Sequence, residues 1–579
     1  MTHRNLFEKA HVLSIPARLG WALVLLVLLT GLGLVGDRRT RAEIDPRPLR
    51  VSSSDDAYAD LVVGVSGEDL TETDAGAVHV FYTDGTNDFP VDDTSAMDWW
   101  YQGYAGLNGL QEQEDRFGSA LAIGDFNGDH LTDLAVGVPY ETINLLEGGT
   151  ALYAGAVHII YASATGLTSS GDAIFDMDDY YIDQDAQVRD FFGQELATGD
   201  FNADGYADLA IGVPMRDVGA EVDAGMVQVL FGSASGISTR EREQSWFQNV
   251  LDSDIGAGDN FGYALAVGDF DGDGYDDLAA SAPFEDWYTL DDVGSVHILF
   301  GDSGGLTNTE SQIFYQSEIF GIYEEGDAEA GDMFGYALAS GDFNADGYDD
   351  LAVGAPGEDM STEDSAGVAH AIYGSASGLD QGTRDDAIIS LHPNHYCSFD
   401  LYQEQDLFGR SLAVGDFDGD GDDDLAVGAP YDDVDSVEDA GSAYIFYSML
   451  GSFCVFEDFG YTLNQNSPAI QGGAEADDHY GAVLTAGDID GDGYDDLVVG
   501  IPDEDITDGG TTYYEAGGVN VIYGQWAQFD SDSPVDRFLH QGKGDIWQLS
   551  PLEGDDRFGA AVALLHPPTY YVYLPLVLR

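Results

Sequence analysis

Gly268-Asp269-Phe270-Asp271-Gly272-Asp273-Gly274-Tyr275-Asp276-Asp277-Leu278 is one of six close variants of a single phrase. The loops begin at Asp125, Asp200, Asp269, Asp342, Asp416 and Asp488, spaced 75, 69, 73, 74 and 72 residues apart. A fixed period carrying one phrase marks a repeat architecture, in which each unit buries its apolar face only against its neighbours. Upstream, Asp259-Asn260-Phe261-Gly262-Tyr263-Ala264-Leu265-Ala266-Val267-Gly268 reads as a strand crowded with small residues, suited to a place where backbones converge. Downstream, Leu278-Ala279-Ala280-Ser281-Ala282-Pro283 is a nearly continuous apolar strand of the kind buried on both faces. An alternating strand over 294–301, a turn at 302–305 and a weaker strand near 311–315 complete the unit.

Four antiparallel strands per repeat, covered on both sides by neighbours, predict an all-β fold, a β-propeller. A β-helix needs a much shorter period, and separate sandwiches need about 100 residues each. The ends of the chain set the blade count. Residues 58–65 and 76–82 read as second and third strands without a first, and 556–565 read as a first strand without a second. An Asp two residues before an aromatic–Gly pair recurs at Asp115, Asp190, Asp259, Asp332, Asp406 and Asp478, with Asp556 as the seventh. The expectation is seven four-stranded blades over 43–566, the first blade closed by the C-terminal strand, which also hides the two edges of an open ring.

Phe117-Gly118 through Gly137-Val138-Pro139, and Phe334-Gly335 through Gly354-Ala355-Pro356, make these repeats resemble the FG-GAP repeats of integrin α-subunit propellers and their bacterial relatives. The resemblance covers roughly 51–565 and implies a calcium-stabilised propeller used for recognition. No leg domains or C-terminal membrane span are read after it, so only the propeller's share of integrin behaviour is expected.

Each loop offers oxygen ligands at positions one, three, five, seven and nine, the seventh through its backbone carbonyl, with Gly at position six for the tight turn. The candidate ligands are Asp125, Asn127, Asp129, Leu131 and Asp133; Asp200, Asn202, Asp204, Tyr206 and Asp208; and Asp269, Asp271, Asp273, Tyr275 and Asp277. The later loops supply Asp342, Asn344, Asp346, Tyr348 and Asp350; Asp416, Asp418, Asp420, Asp422 and Asp424; and Asp488, Asp490, Asp492, Tyr494 and Asp496. Hard oxygens without His or Cys favour Ca²⁺ over zinc, and no bidentate Glu stands at position twelve as in an EF-hand. About six structural calcium ions are expected. The loop with His130 at position six is the weakest copy, and blade one keeps only Ser52, Ser54, Asp56 and Asp60.

There are 107 acidic and 19 basic residues, a net charge of −88. That excludes nucleic acid as a partner, since phosphate neutralisation needs Lys and Arg. The loops hold 21 side-chain carboxylates, and six Ca²⁺ would cancel only 12 charges, so most of the acidity is a solvated surface. Arg4, Lys9 and Arg18 precede an apolar run over 19–35, and Thr40-Arg41-Ala42 offers a cleavage site, so 1–42 reads as an export signal. A retained N-terminal anchor, the sole route to a membrane, is the alternative. Export suits calcium loops, because millimolar calcium is an extracellular condition. The protein is expected to be secreted or on the cell surface, and monomeric.

Cys397 and Cys454 are the only cysteines, and sequence leaves their pairing open. His79, His158, His297 and His370 recur at one strand position; in different blades they cannot converge on one ion, and read as packing residues. The loops between second and third strands repeat an acidic element, Glu68-Asp69, Glu141, Asp217, Glu285-Asp286, Glu358-Asp359, Asp432-Asp433 and Glu504-Asp505, among aromatics such as Tyr140, Phe284, Trp287, Tyr288 and Tyr431. Longer insertions over 142–153 and 511–514 break the symmetry. This face, opposite the calcium loops, is the expected site for an extracellular protein or glycan ligand. Gly301-Asp302-Ser303-Gly304-Gly305 fits Gly-x-Ser-x-Gly but falls on the turn at 302–305 rather than on a strand-to-helix elbow, and no His-Glu-x-x-His or phosphate loop occurs, so catalysis is not expected, and a lectin-like role or, behind it, a polysaccharide hydrolase or lyase are the alternatives. The tail 567–579 resembles short Leu-Pro-Leu-Val-Leu endings of exported bacterial proteins, and is too short to span a membrane.

Overall fold

The computed structural model describes residues 50–51, 59–565 and 570–571, apart from loop segments of which the longest are 83–96, 317–327, 449–459, 525–535 and 542–551. The export signal, Ser52, Ser54, Asp56, Cys454 and most of the C-terminal tail lie outside the described residues. The chain divides into two compact units, and the propeller occupies the one spanning 51–570.

Seven antiparallel sheets follow the repeat in chain order. The sheet of blade four has the order Leu265–Gly268, Asp277–Ala282, Ser295–Asp302, Gly305–Phe314, each strand hydrogen-bonded to the next. Every second strand starts at the ninth residue of the loop phrase, because that Asp is already paired: Asp277 lies opposite Gly268 and Asp350 opposite Gly341. Blade one is completed from the far end of the chain, where Phe558–Leu565 pairs with Asp60–Val65 from Asp60 opposite Leu565 to Gly64 opposite Ala561. Blade five departs from the four-strand expectation, since Cys397–Ser398 adds a short parallel fifth strand. The two rim insertions are small hairpins, Ile143–Asn144 with Thr150–Ala151 and Ile506–Asp508 with Thr511–Tyr513.

The core lies between blades. The second and third strands bury both faces, as in Asp350–Ala355 and Val368–Ile372, which is why they read as continuous apolar runs. Between blades one and two, Val62, Val78, Val80 and Trp100 pack on Leu134, Val136, Val138 and Ile160. Burying such side chains contributes about 1.5–3 kcal/mol each before entropy is counted. The aromatic of the Phe-Gly pair, from Phe117 to Phe558 with Tyr480 in blade six-to-seven register, is fully buried at each repeat.

The glycine landmarks have a steric cause. Gly409, at φ 91°, lies against the backbone of Val368 in the preceding blade, and a Cβ there would sit 2.3 Å from the Val368 carbonyl oxygen. Gly354 in that same preceding blade faces it, so two glycines back onto one another where adjacent sheets approach most closely. The recurring histidines fill the space beside the aromatics: Phe117–His158 and Phe261–His297 ring centroids are 5.2 Å apart, edge to face. Burial pushes His158 down to about 3 and His79 to about 4, so both are neutral packing groups. Among the described residues no helix is long and apolar enough to cross a membrane.

Candidate metal centres and the opposite rim

The loop joining first and second strands closes on itself before any ion is considered. In blade four the position-one Asp269 accepts the N–H of Asp273 at 3.0 Å on one oxygen and that of Gly274 at 3.0 Å on the other. Asp273 accepts the Tyr275 N–H at 3.0 Å. The same pattern recurs in all six loops, for example Asp204 and Gly205 onto Asp200 and Asp492 and Gly493 onto Asp488. His130 adopts φ 67°, close to the left-handed glycines of the other copies, and its N–H donates to Asp125 at 2.8 Å. The weakest copy therefore keeps the loop shape, at the modest cost of a side chain in that region.

Position nine does more than the sequence suggested. Asp277 accepts the Phe270 N–H at 3.0 Å and, through its other oxygen, the Gly301 N–H at 2.8 Å at the end of the third strand. Asp133, Asp208, Asp350, Asp424 and Asp496 make the matching bond to Ala162, Gly232, Gly374, Ser448 and Gly524. Each of these carboxylates is buried. Burial pushes Asp277 up to about 8 and Asp496 to about 9, against the pull of their backbone donors. A divalent cation in the loop would reverse that tendency.

Ligand oxygens come within 4.8 Å of one another in Asp269, Asp271 and Asp273, in Asp416, Asp418 and Asp424, and in Asp488, Asp490 and Asp492. In the loops with Asn at position three, the amide instead donates to position nine, as Asn202 does to Asp208 at 3.0 Å. The donor set is oxygen only, with short spacing and a preformed turn, and it fits a hard divalent cation.

Position eight was missed. Asp349 accepts the N–H of Asp269 in the preceding blade at 2.8 Å, and Asp423 that of Asp342 at 2.9 Å. Asp276 and Asp495 do the same for Asp200 and Asp416. Backbone bonds run back, from Asp349 N–H to the Asp269 carbonyl at 3.2 Å, and across the closure from Ala59 to Asp488 at 3.3 Å. Among the described residues, adjacent loops from blade two round to blade one are thus stitched into a belt. The doubled Asp at positions eight and nine was the available signal.

The FG-GAP repeat model matches six stretches, 117–160, 192–230, 261–299, 334–373, 408–446 and 480–519. This chain is an FG-GAP repeat propeller. It is 32% identical to integrin alpha-PS2 of Drosophila melanogaster over 42% of this chain and 15% of that protein. It is 34% identical to phosphatidylinositol-glycan-specific phospholipase D of Bos taurus over 29% of this chain and 18% of that one. The match thus spans less than a fifth of the length of either relative. Exotype rhamnogalacturonan lyase YesX resembles 72% of this chain and 57% of its own at 13% identity, with a TM-score of 0.32, too distant to bear on chemistry.

The opposite end of the FG-GAP propeller holds the loops between second and third strands and the crossings between blades. Its repeated acidic element is not the exposed rim the sequence suggested. The first acid is buried in Glu68, Glu285, Glu358, Asp432 and Glu504 and half-buried in Glu141. The second acid clasps its own loop: Asp286 accepts the Asp292 N–H at 3.1 Å, Asp359 that of Ser365 at 2.7 Å and Asp505 that of Glu515 at 3.0 Å. Around the mouth runs a chain of rings and charges. Phe284 meets Tyr263 at 5.5 Å, Tyr263 meets Tyr336 at 5.0 Å, and the Arg410 guanidinium lies 5.1 Å from the Tyr336 ring and 5.7 Å from that of Tyr431. Tyr431 then meets His479 at 4.6 Å, which contacts Asp503 at 2.8 Å.

Proposed function

We propose that this is an exported, calcium-loaded propeller that recognises macromolecules outside the cell through the face opposite its metal loops, without catalysis of its own. One observation carries the reading. The exposed large hydrophobic residues among those described are Tyr104, Leu110, Leu146, Leu152, Val188, Val222, Tyr288 and Tyr514. All eight lie in second-to-third-strand loops or blade crossings, and none in a metal loop. Apolar side chains gathered at one end of so acidic a molecule are the mark of an interaction surface. Similarity to integrin alpha-PS2 supports recognition as the use of the fold.

The calcium loops supply the rigidity that such a surface needs. Bound ions would offset the mutual repulsion of the loop carboxylates and fix the belt that joins the blades, leaving the rim free to vary. A glycan is the second reading for the ligand, supported by Trp99, Tyr101 and Tyr104, whose rings gather at 4.7–5.8 Å beside a blade crossing. The deciding experiment is a pull-down from cell-envelope material in calcium and in chelator, run beside a glycan array. Calcium-dependent capture of a protein, lost on Tyr288→Ala or Tyr104→Ala, supports the first reading. Array binding lost on Tyr104→Ala supports the second. No binding in any arm removes the proposal.

A further inference from the structure

A second set of buried oxygens lies beneath the rim, outside the six loops. Between blades four and five, Gln316 at the end of a fourth strand donates its amide N–H to Glu358 at 2.5 Å. Asp332, equally buried, accepts the Glu329 N–H at 2.5 Å. The Gln316 carbonyl oxygen is buried with no hydrogen-bond donor. Because the two ends of one amide cannot separate, this orphan oxygen stands beside the carboxyl pair. Glu329 is exposed at the mouth of the gap.

The arrangement recurs with the same residue types. Between blades one and two, Gln102 donates to Glu141 at 2.6 Å beside Asp115 and Glu112. Between blades six and seven, Gln465 donates to Glu504 beside Asp478 and Glu475. The carbonyl oxygens of Gln102 and Gln465 are likewise buried without donors. Burial first, and then the neighbouring carboxyl, push Glu141 and Glu504 up to about 8 and Glu358 to about 9. Among the described residues no Lys or Arg acts on these carboxyl pairs, and His479 pulls only weakly on Asp478, whose carboxyl still rises to about 7.

Two other interfaces show what serves the buried acid of such a gap. Between blades two and three, Met177 stands in place of the Gln, Gln187 in place of the mouth Glu, and Arg216 in place of the buried Glu. Its guanidinium lies 2.7 Å from Asp190 and 2.5 Å from the Asp185 carbonyl oxygen. Between blades three and four the Gln248 carbonyl oxygen is again buried without a donor, but the mouth Glu is Gly256, and Glu285 is served by Ser295 at 2.5 Å, Gln248 at 3.0 Å and Tyr315 at 3.1 Å. When the oxygen set changes, the chain supplies a cation or hydroxyl donors of its own.

We propose that the interfaces between blades one and two, four and five, and six and seven each bind a divalent cation, Ca²⁺ in an exported setting, through the buried Glu and Asp carboxylates and the orphan Gln carbonyl oxygen. Oxygen donors of mixed charge are the ligands Ca²⁺ takes. These three sites add to the six loops.

Equilibrium dialysis of the full chain against radioactive CaCl₂ tests this. Wild type is expected to hold at least nine ions, six in loops and three at these interfaces. The double substitution Gln316→Met with Glu358→Arg copies the interface between blades two and three; it is expected to hold one ion fewer than wild type and to melt in chelator no lower than wild type. Glu358→Gln alone should also hold one fewer. Six ions in wild type, or a count unmoved by both variants in folded protein, overturns the proposal and leaves the carboxyl pairs sharing a proton. Failure of the loops is read separately, as a wild-type count of three.

Discussion

The loops of the candidate metal end and those of the opposite rim connect the same second strands, yet they use their carboxylates differently. At the metal end the acids face one another across a tight turn and reach into the next blade, as Asp349 does to Asp269. At the rim the acids are divided, one buried at the blade interface and one clasping its own loop, and the surface is left to apolar side chains such as Leu110 and Tyr288. The metal end is uniform because every copy has the same mechanical task. The rim varies because its strand ends are already fixed from below.

The sharpest way to break this contrast is to remove calcium. An ion in thousandfold excess over its Kd stabilises the folded state by about 4 kcal/mol per site, so excess chelator should lower the Tm by more than any single substitution. Calorimetry with and without chelator checks this, and superimposable melts would deny the metal end its role. Next in size is a buried pair on the rim side. Asp190→Ala leaves the Arg216 guanidinium uncompensated in the interface, and removing one partner of such a pair costs about 3–5 kcal/mol. A denaturant midpoint near that of wild type would show that water reaches the gap.

Within the metal end, positions differ in depth. Asp277→Asn loses one of two backbone bonds made by a buried carboxylate, a cost of about 2 kcal/mol. Asp273→Asn, at exposed position five, should cost less in chelator, while in calcium both weaken the same ion. Urea melts in both conditions separate the structural role of position nine from its role as a ligand.

Much of this was legible in the residues. The period, the Phe-Gly and Gly-x-Pro landmarks and the split blade gave the ring, because glycines that back onto one another and an unpaired first strand have few alternatives. The loop cages were legible because alternation and Gly at position six are local geometry. Position eight was not, since Asp276, Asp349, Asp423 and Asp495 act on the preceding blade, 76 to 81 residues away. The rim acids were misplaced for a similar reason: Glu358 looks like loop charge until Gln316 from the neighbouring blade covers it. Local chemistry can be read from a repeat, whereas contacts between repeats need the sheets assembled.

Between the two ends, the first strand of blade three carries Glu195, whose carboxyl is pushed up to about 8 by burial. Its ordinary value is 4.5, so the unfolded chain releases this proton first as pH rises. The stability it allows is fully present below about 4.5 and falls until pH passes about 8. Glu195→Gln should therefore raise stability at pH 8.5, on the order of 2 kcal/mol, and change little at pH 4. Equal effects at both pH values would mean that Glu195 is held by something other than its burial.

The smallest effect on stability is the one that decides what the rim is for. Tyr288 is 90% exposed, its ring centroid 5.1 Å from that of Trp287. Tyr288→Ala should leave the Tm unchanged to within about 0.5 kcal/mol, as surface changes away from buried networks do. Yet a lone ring held out from an acidic surface loses nothing by removal unless something covers it, and a ligand that does would bury apolar area at about 25 cal/mol per Å². A binding loss of tenfold or more, measured on calcium-loaded protein with the captured envelope ligand, would separate this residue from the belt below, where every side chain removed is paid for in stability. Unchanged binding would move the contact away from blade four, toward the exposed Leu152 and Val188 of blades two and three.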